Sequence, residues 1–238
     1  MVWDRRSNLW PGVALALGSA VLFGAATPLS KILLDTIDPQ LLAGLLYLGA
    51  GVGLAVLHVG RSVVSAPNAE APLRRTDLPW LTLAIISGGM AGPVLLMLGL
   101  ARTDAASGSL LLNLEGLATM SIAWLVFREN VDRRLLLGAL AIVAGAVVLS
   151  WHGQHLSLDA GAALIGAACI AWGIDNNVTR KLSAANPVSI AMAKGLAAGL
   201  VNIAIAAARG TGLPSPGIAA IAAVIGFFAI GVSLVLFV

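Results

Sequence analysis

The last 24 residues, SPGIAAIAAVIGFFAIGVSLVLFV (215–238), contain no charged side chain. At a rise of about 1.5 Å per residue a helix of that length reaches roughly 36 Å. The hydrocarbon core of a bilayer is ~30 Å thick and needs ~20 apolar residues per helix. A helix that is apolar on every face has no stable place on a soluble surface. The stretch therefore reads as a transmembrane span, entered through a serine and a first-turn proline. Working back toward the N-terminus, the polar and Pro/Gly breaks cut the chain into seven more such runs: 10–34, 38–60, 79–101, 104–127, 132–151, 159–181 and 186–208. Asp38-Pro39 and Asn186-Pro187 repeat the pattern of a cap followed by a proline. The first run follows Arg5 and Arg6 but is too long for a signal-peptide core, so it reads as a retained helix.

Composition agrees. The chain is 59% hydrophobic and 11% charged, whereas soluble domains carry roughly 25% charged residues. Too few ionic groups remain to coat a soluble surface. The expected fold class is all-α integral membrane, with about eight transmembrane helices and no soluble catalytic domain. Cys169 is the lone cysteine, so no intramolecular disulfide forms. His152 and His155 flank a short loop and read as a polar helix end. No metal and no cofactor are expected. The Walker, HExxH, GxSxG and CxxC patterns are absent, which leaves neither an ATP drive nor an enzyme motif.

Positive charge sets the expected orientation. With the N-terminus in the cytoplasm, ten of the 14 Lys and Arg residues face inward, Arg102 and Arg209 face outward, and Lys31 and Lys194 lie within helices. That bias is the positive-inside pattern. The expected location is a bacterial-type cytoplasmic (inner) membrane, multi-pass, with the lipid bilayer and a small-molecule substrate as partners and no nucleic acid; the oligomeric state is open.

The first and sixth runs match each other. Phe23-Gly24 corresponds to Trp172-Gly173, Lys31 to Arg180, and Pro39 to Pro187, at offsets of 149 residues and then 148. Five helices per copy means that the second copy enters the membrane upside down, the inverted-repeat pattern of secondary transporters. The expected domains are a first five-helix repeat at 10–151 and a second, truncated repeat of three helices at 159–238. The bundle is then an incomplete ten-helix one of two inverted five-helix repeats, lacking the end of helix eight and helices nine and ten.

Ionisable groups inside a bilayer cost at least ~2.5–3.5 kcal/mol on insertion scales and usually face a cavity or a partner. Glu115 lies eleven residues into the fourth run, near the midplane. It reads either as a cavity-lining carboxylate for a cationic group or proton, or as an acid satisfied between helices by Asn113 or Asn177. Asp175 and Lys194 fall at similar depth on helices joined by a short turn, so an ion pair is expected, as a structural lock or as a gating or substrate contact. Asn176, Asn177 and Asn202 add polar edges, and Lys194 and Asn202 share a helix face. Lys31, near a helix end, is expected to snorkel to headgroups. Gly195 and Gly199 form a small-xxx-small pair. Gly88, Gly89, Gly92 and Pro93 are expected to interrupt the third helix, and Pro28 the first. Trp3, Trp10, Trp80 and Trp151 suit an interfacial belt; Trp124 and Trp172 sit closer to helix interiors.

The stretch GLARTDAASGSLLLNLEGLATMSIAWLVFRENVDRRLLLGALAIVAGAVVLSW (99–151) resembles the EamA-type repeat of the drug/metabolite transporter superfamily. The features are a small-residue helix with a central Asn/Glu region, a Trp-Leu turn, Glu129 at the cytoplasmic end, and a helix starting Leu137-Gly138 and ending Gly145 to Leu149. The resemblance covers nearly the whole chain. It implies ten helices in two inverted repeats and secondary transport, as an exporter, of small metabolites, amino acids or drugs by alternating access. The alternative is a non-transporting membrane scaffold or partner subunit. Eight helices and the Asp175-Asn176-Asn177 cluster depart from the family pattern.

Overall fold

A computed structural model describes residues 9–64, 73–130, 132–149, 151–152, 155–156, 159–182 and 186–237. Eight helical runs follow in order among these residues. Helix α1 is Leu9–Leu33 and α2 is Pro39–Val64. Helix α3 spans Arg75–Leu100; within it Leu78–Ala84 and Gly92–Leu100 are α-helical and Ile85–Ala91 is a π-helix. Helix α4 is Ala105–Leu125, broken between Leu111 and Leu114. Helix α5 is Arg133–Leu149, α6 is Ala160–Thr179 and α7 is Pro187–Ala208. Helix α8 is Pro216–Leu236, with a second π segment at Phe227–Val232. Between α5 and α6 a short antiparallel bridge pairs Trp151 with Leu156 and His152 with His155.

The helix starts follow from capping chemistry. Side-chain oxygens of Asp38, Asp104, Asp159, Asn186 and Ser215 accept hydrogen bonds from backbone N–H groups two or three residues ahead, satisfying donors that have no partner inside the helix. The Ser107 hydrogen bonds also hold the Asp104 carboxyl below the usual carboxylate range. Proline opens α2, α7 and α8, where its missing N–H costs nothing. Helix α7 stops where Gly210 takes φ +76°, which a residue with a Cβ adopts poorly.

Six of the runs, α1, α2, α3, α4, α7 and α8, are long and apolar enough to cross a membrane. Helix α5 contributes a shorter apolar stretch, Leu136–Gly145. Helix α6 is 20 residues long and carries the polar Asp175-Asn176-Asn177 trio near its end. The expected all-α multi-pass fold with eight helical runs is the fold observed. The interruption expected at Pro28 does not end α1, which runs through it with Pro28 on an exposed face. The side chains of Trp3, Trp10 and Trp151 lie outside the described residues.

Helices α2 and α7 form the central pair. Glycines let their backbones meet: a Cβ on Gly195 would stand 2.8 Å from Gly51 Cα, and one on Gly44 would stand 2.9 Å from Ile203 N. Such approach gains van der Waals contact that larger residues forbid. On one side α8 crosses α2 and packs on α1; on the other α3 packs on both α6 and α7. The second half of α4 lies along α6, and α5 lies against α4. The apolar core runs through Leu41, Leu42, Leu46, Leu96, Leu100 and Ile165.

Candidate functional site

Helix α3 is the place to start, because its sequence leaves hydrogen bonds open. The Gly92 N–H donates to Ser87 O in the wider π register, and Pro93 has no N–H at all. Neither the α-helical nor the π-helical donor therefore reaches Gly88 O, and Gly89 O loses its α-helical donor to Pro93. A buried carbonyl left unpaired costs about 1–3 kcal/mol. Side chains from three other helices supply donors. Tyr47 Oη of α2 donates to Gly88 O at 2.8 Å. Trp172 Nε1 of α6 donates to the same oxygen at 3.0 Å. Asn202 Nδ2 of α7 donates to Gly89 O at 3.4 Å, and its Oδ1 accepts from Gln40 Nε2 at 3.2 Å.

Beside this junction sits the charged pair. Lys194 Nζ and Asp175 Oδ2 form an ion pair, with side chains 19% and 6% exposed. The expected pairing across the α6–α7 turn is the one present. Thr179 Oγ1 donates to Asp175 Oδ1 at 3.1 Å. Gly88 makes the room, since a Cβ there would fall on the Asp175 carboxylate. The Lys194, Ala198 and Asn202 face of α7 lies against the same glycine pair: a Cβ on Gly89 would stand 2.7 Å from Ala198 Cβ and 3.1 Å from Lys194 Cγ.

Glu115 is half-buried in the first turn of the second half of α4. Its Oε1 accepts from Asn176 Nδ2 at 2.9 Å, and the same nitrogen donates to Thr119 Oγ1 at 3.1 Å. Asn176 is thus the partner, in place of the expected Asn113 or Asn177. Asn113 is exposed and donates to Leu110 O of its own helix at 2.9 Å, so it stands apart from the cluster. Asn177, 1% exposed, donates to Thr119 O at 2.9 Å and Gly173 O at 2.8 Å. The structure therefore gathers Glu115, Asp175, Asn176, Asn177 and Lys194 around the last turns of α6.

Lys31, expected to reach headgroups, donates instead to Leu100 O at 2.5 Å and ties α1 to the end of α3. At the end of α6, Arg180 forms an exposed ion pair with Glu129, and Lys181 lies 5.0 Å from the Phe127 ring centroid. Thr119, Tyr47 and Gln40 are contributors that the sequence did not mark. The proline-orphaned carbonyls of α3 were the one signal that donors had to come from somewhere.

Among the described residues no group of three or more His, Cys, Asp or Glu side chains is placed to hold a metal ion. Buried carboxylates, an ammonium and amides at a helix junction can bind a polar solute or relay a proton.

Comparison with known proteins fits this arrangement. The EamA-like transporter family matches residues 10–151. An uncharacterized transporter of Methanothermobacter thermautotrophicus is 28% identical over 188 residues, 74% of this chain and 54% of that protein. The chain thus spans about half the length of that relative. A probable 4-amino-4-deoxy-L-arabinose-phosphoundecaprenol flippase subunit ArnE of Pseudomonas paraeruginosa is 38% identical over 109 residues, 46% of this chain and 92% of that protein. A solved crystal structure superposes with a TM-score of 0.68 at 15% identity, covering 95% of this chain and 77% of the other, which shows a shared fold. With more than half of its sequence matched, and a multi-pass helical bundle around a buried charged cluster, this chain belongs to the EamA-like transporter family.

Proposed function

We propose that the chain works as a secondary transporter of small metabolites, moving its substrate by alternating access between two inverted repeats, residues 10–151 and 159–238. The observation that carries this reading is the buried Asp175–Lys194 ion pair beside Glu115, among helices from both proposed repeats. Charges at such depth are costly, pair with one another or face a water-filled cavity, and mark substrate and ion pathways.

The packing supports the repeat. Under the 149- and 148-residue offsets α1 and α2 correspond to α6 and α7, and chain order then pairs α3 with α8. The α1–α8 contact then corresponds to the α6–α3 contact, and α2–α8 to α7–α3; all four are present. The central α2–α7 pair maps onto itself, with Gly51 against Gly195 and Gly199 against Leu48. Both α3 and α8 also carry a π segment. In this reading the N-terminus is cytoplasmic and the membrane is the bacterial inner one, with export as the direction.

The test is flux in proteoliposomes. Glu115→Gln is expected to abolish transport or flatten its pH dependence. Unchanged flux at every pH overturns the role of Glu115.

The relative named a flippase subunit favours a second reading, in which this chain is one part of a hetero-oligomer. Purification from native membranes separates the two. A chain that transports alone supports the first, and one that transports only with a defined partner supports the second.

A further inference from the structure

The seam between α4 and α6 is built in an unusual way. Glu115 and Thr119 are one turn apart on α4, and Gly173, Asn176 and Asn177 share the opposing face of α6. Gly173 brings the backbones together, since a Cβ there would stand 3.0 Å from both Ala118 C and Thr119 N. Asn176 uses both amide hydrogens on Glu115 Oε1 and Thr119 Oγ1. Asn177 uses both of its own on Thr119 O and Gly173 O. These partners fix which way each amide points: carbonyl and carboxylate oxygens only accept, so the nitrogens must face them.

Oxygens are what remain. Asn177 Oδ1 is buried and has no partner. It sits on the same carbon as a nitrogen bridging α4 and α6, so it lies in the same seam. Asn176 Oδ1 and Glu115 Oε2 likewise receive no donor among the described residues. Asp175 has Lys194 as its counter-ion, whereas no cation among those residues stands within ion-pair distance of Glu115. The seam thus offers three acceptor oxygens and one unmatched carboxylate, against the single hydroxyl hydrogen of Thr119.

We propose that the α4–α6 seam is a subsite for a cationic group rich in N–H donors, a primary ammonium or a guanidinium. This rests on the transport reading and names a substrate class for it. An anion or a group that only accepts meets repulsion there. A quaternary ammonium matches the charge but leaves the oxygens unpaired. Thr119 acts as a positioning residue: its hydroxyl and carbonyl oxygens each hold one amide nitrogen, which leaves the two amide oxygens unpaired.

The test uses the full chain in lipid nanodiscs and two probes of equal charge and chain length, hexylammonium and hexyltrimethylammonium. Hexylammonium is expected to bind about tenfold tighter, the scale of one or two hydrogen bonds. Thr119→Val is expected to erase that preference and Thr119→Ser to keep it. Equal affinity for the two probes overturns the proposal, because charge alone is then read. Binding of neither also overturns it, because water then fills the seam. Proteoliposome flux separates this from the broader reading. Selective binding without flux of hexylammonium or any other solute sinks transport and leaves the subsite standing. Flux of a solute lacking N–H donors, with no amine binding, sinks the subsite and leaves transport standing.

Discussion

Under the proposed repeat, helices α6 and α7 carry Asp175, Asn176, Asn177, Lys194 and Asn202 where α1 and α2 carry Ala26, Thr27, Pro28, Leu46 and Leu54. Both halves meet the helix that crosses them through glycine. Gly226 of α8 backs onto Leu46 O, as Gly89 of α3 backs onto Lys194 and Ala198. Both crossing helices have a π segment at the contact. Alanine and leucine therefore suffice to build this junction on one side of the molecule. If the two sides are equivalent scaffolds, the charges on the other side are not needed to hold the helices together, which is consistent with the transport role proposed for them.

The comparison breaks or sharpens under mutation. The largest effect is expected from Lys194→Leu, which leaves Asp175 buried without its counter-ion. A loss of about 3–5 kcal/mol is expected, read as a lowered thermal midpoint in detergent. The double variant Asp175→Ala/Lys194→Leu copies the residues of the other half, and its stability is expected to return close to the parent or above it, with flux lost. A double variant as unstable as the single one would show that the two halves are not interchangeable scaffolds. Next comes Asn202→Leu, again a copy of the counterpart. It strips Gly89 O and Gln40 of a partner and is expected to cost about 1–3 kcal/mol by the same thermal readout, because the apolar half has no Pro93-type orphan to satisfy. The smallest effect is expected from Arg180→Gln. Its pair with Glu129 is exposed, and such pairs contribute about 0–1 kcal/mol; a larger loss would mean that the end of α6 is clamped there.

Much of this was legible in the residues. Apolar runs of span length bounded by polar breaks, three of them opened by a cap and a proline, mark the eight helices, because the bilayer punishes any other use of such segments. The Asp175–Lys194 pair was legible because a short turn fixes depth on two neighbouring helices. The partner of Glu115 was not. Asn176 and Asn177 differ by about 100° around α6, and the choice between them depends on how α6 is rotated against α4. Contact at Gly173 sets that rotation, and no local pattern encodes it. Asn113 looked close in sequence, but the break in α4 turns it outward. Thr119 left no mark because a small hydroxyl costs little in a helix, and Tyr47, the single tyrosine, left none because the carbonyl it serves is set by how α2 packs near α3. Lys31 was misread because a lysine near a span end can meet lipid or a neighbouring helix terminus, and depth alone does not distinguish them.

The proline in α3 has one more implication. Gly89 O has a proline nitrogen where its α-helical donor should be, and Gly88 O stays without one as long as the Gly92 N–H is held by Ser87 O, so both depend on borrowed hydrogens in this register. Tyr47, Trp172 and Asn202 are therefore tethered to one spot. If the protein changes shape as it works, sliding of α2, α6 or α7 past that spot must break a bond that α3 can replace only by changing its own register. Motion is then channelled into rotation about this knot, with the knot itself as the fulcrum.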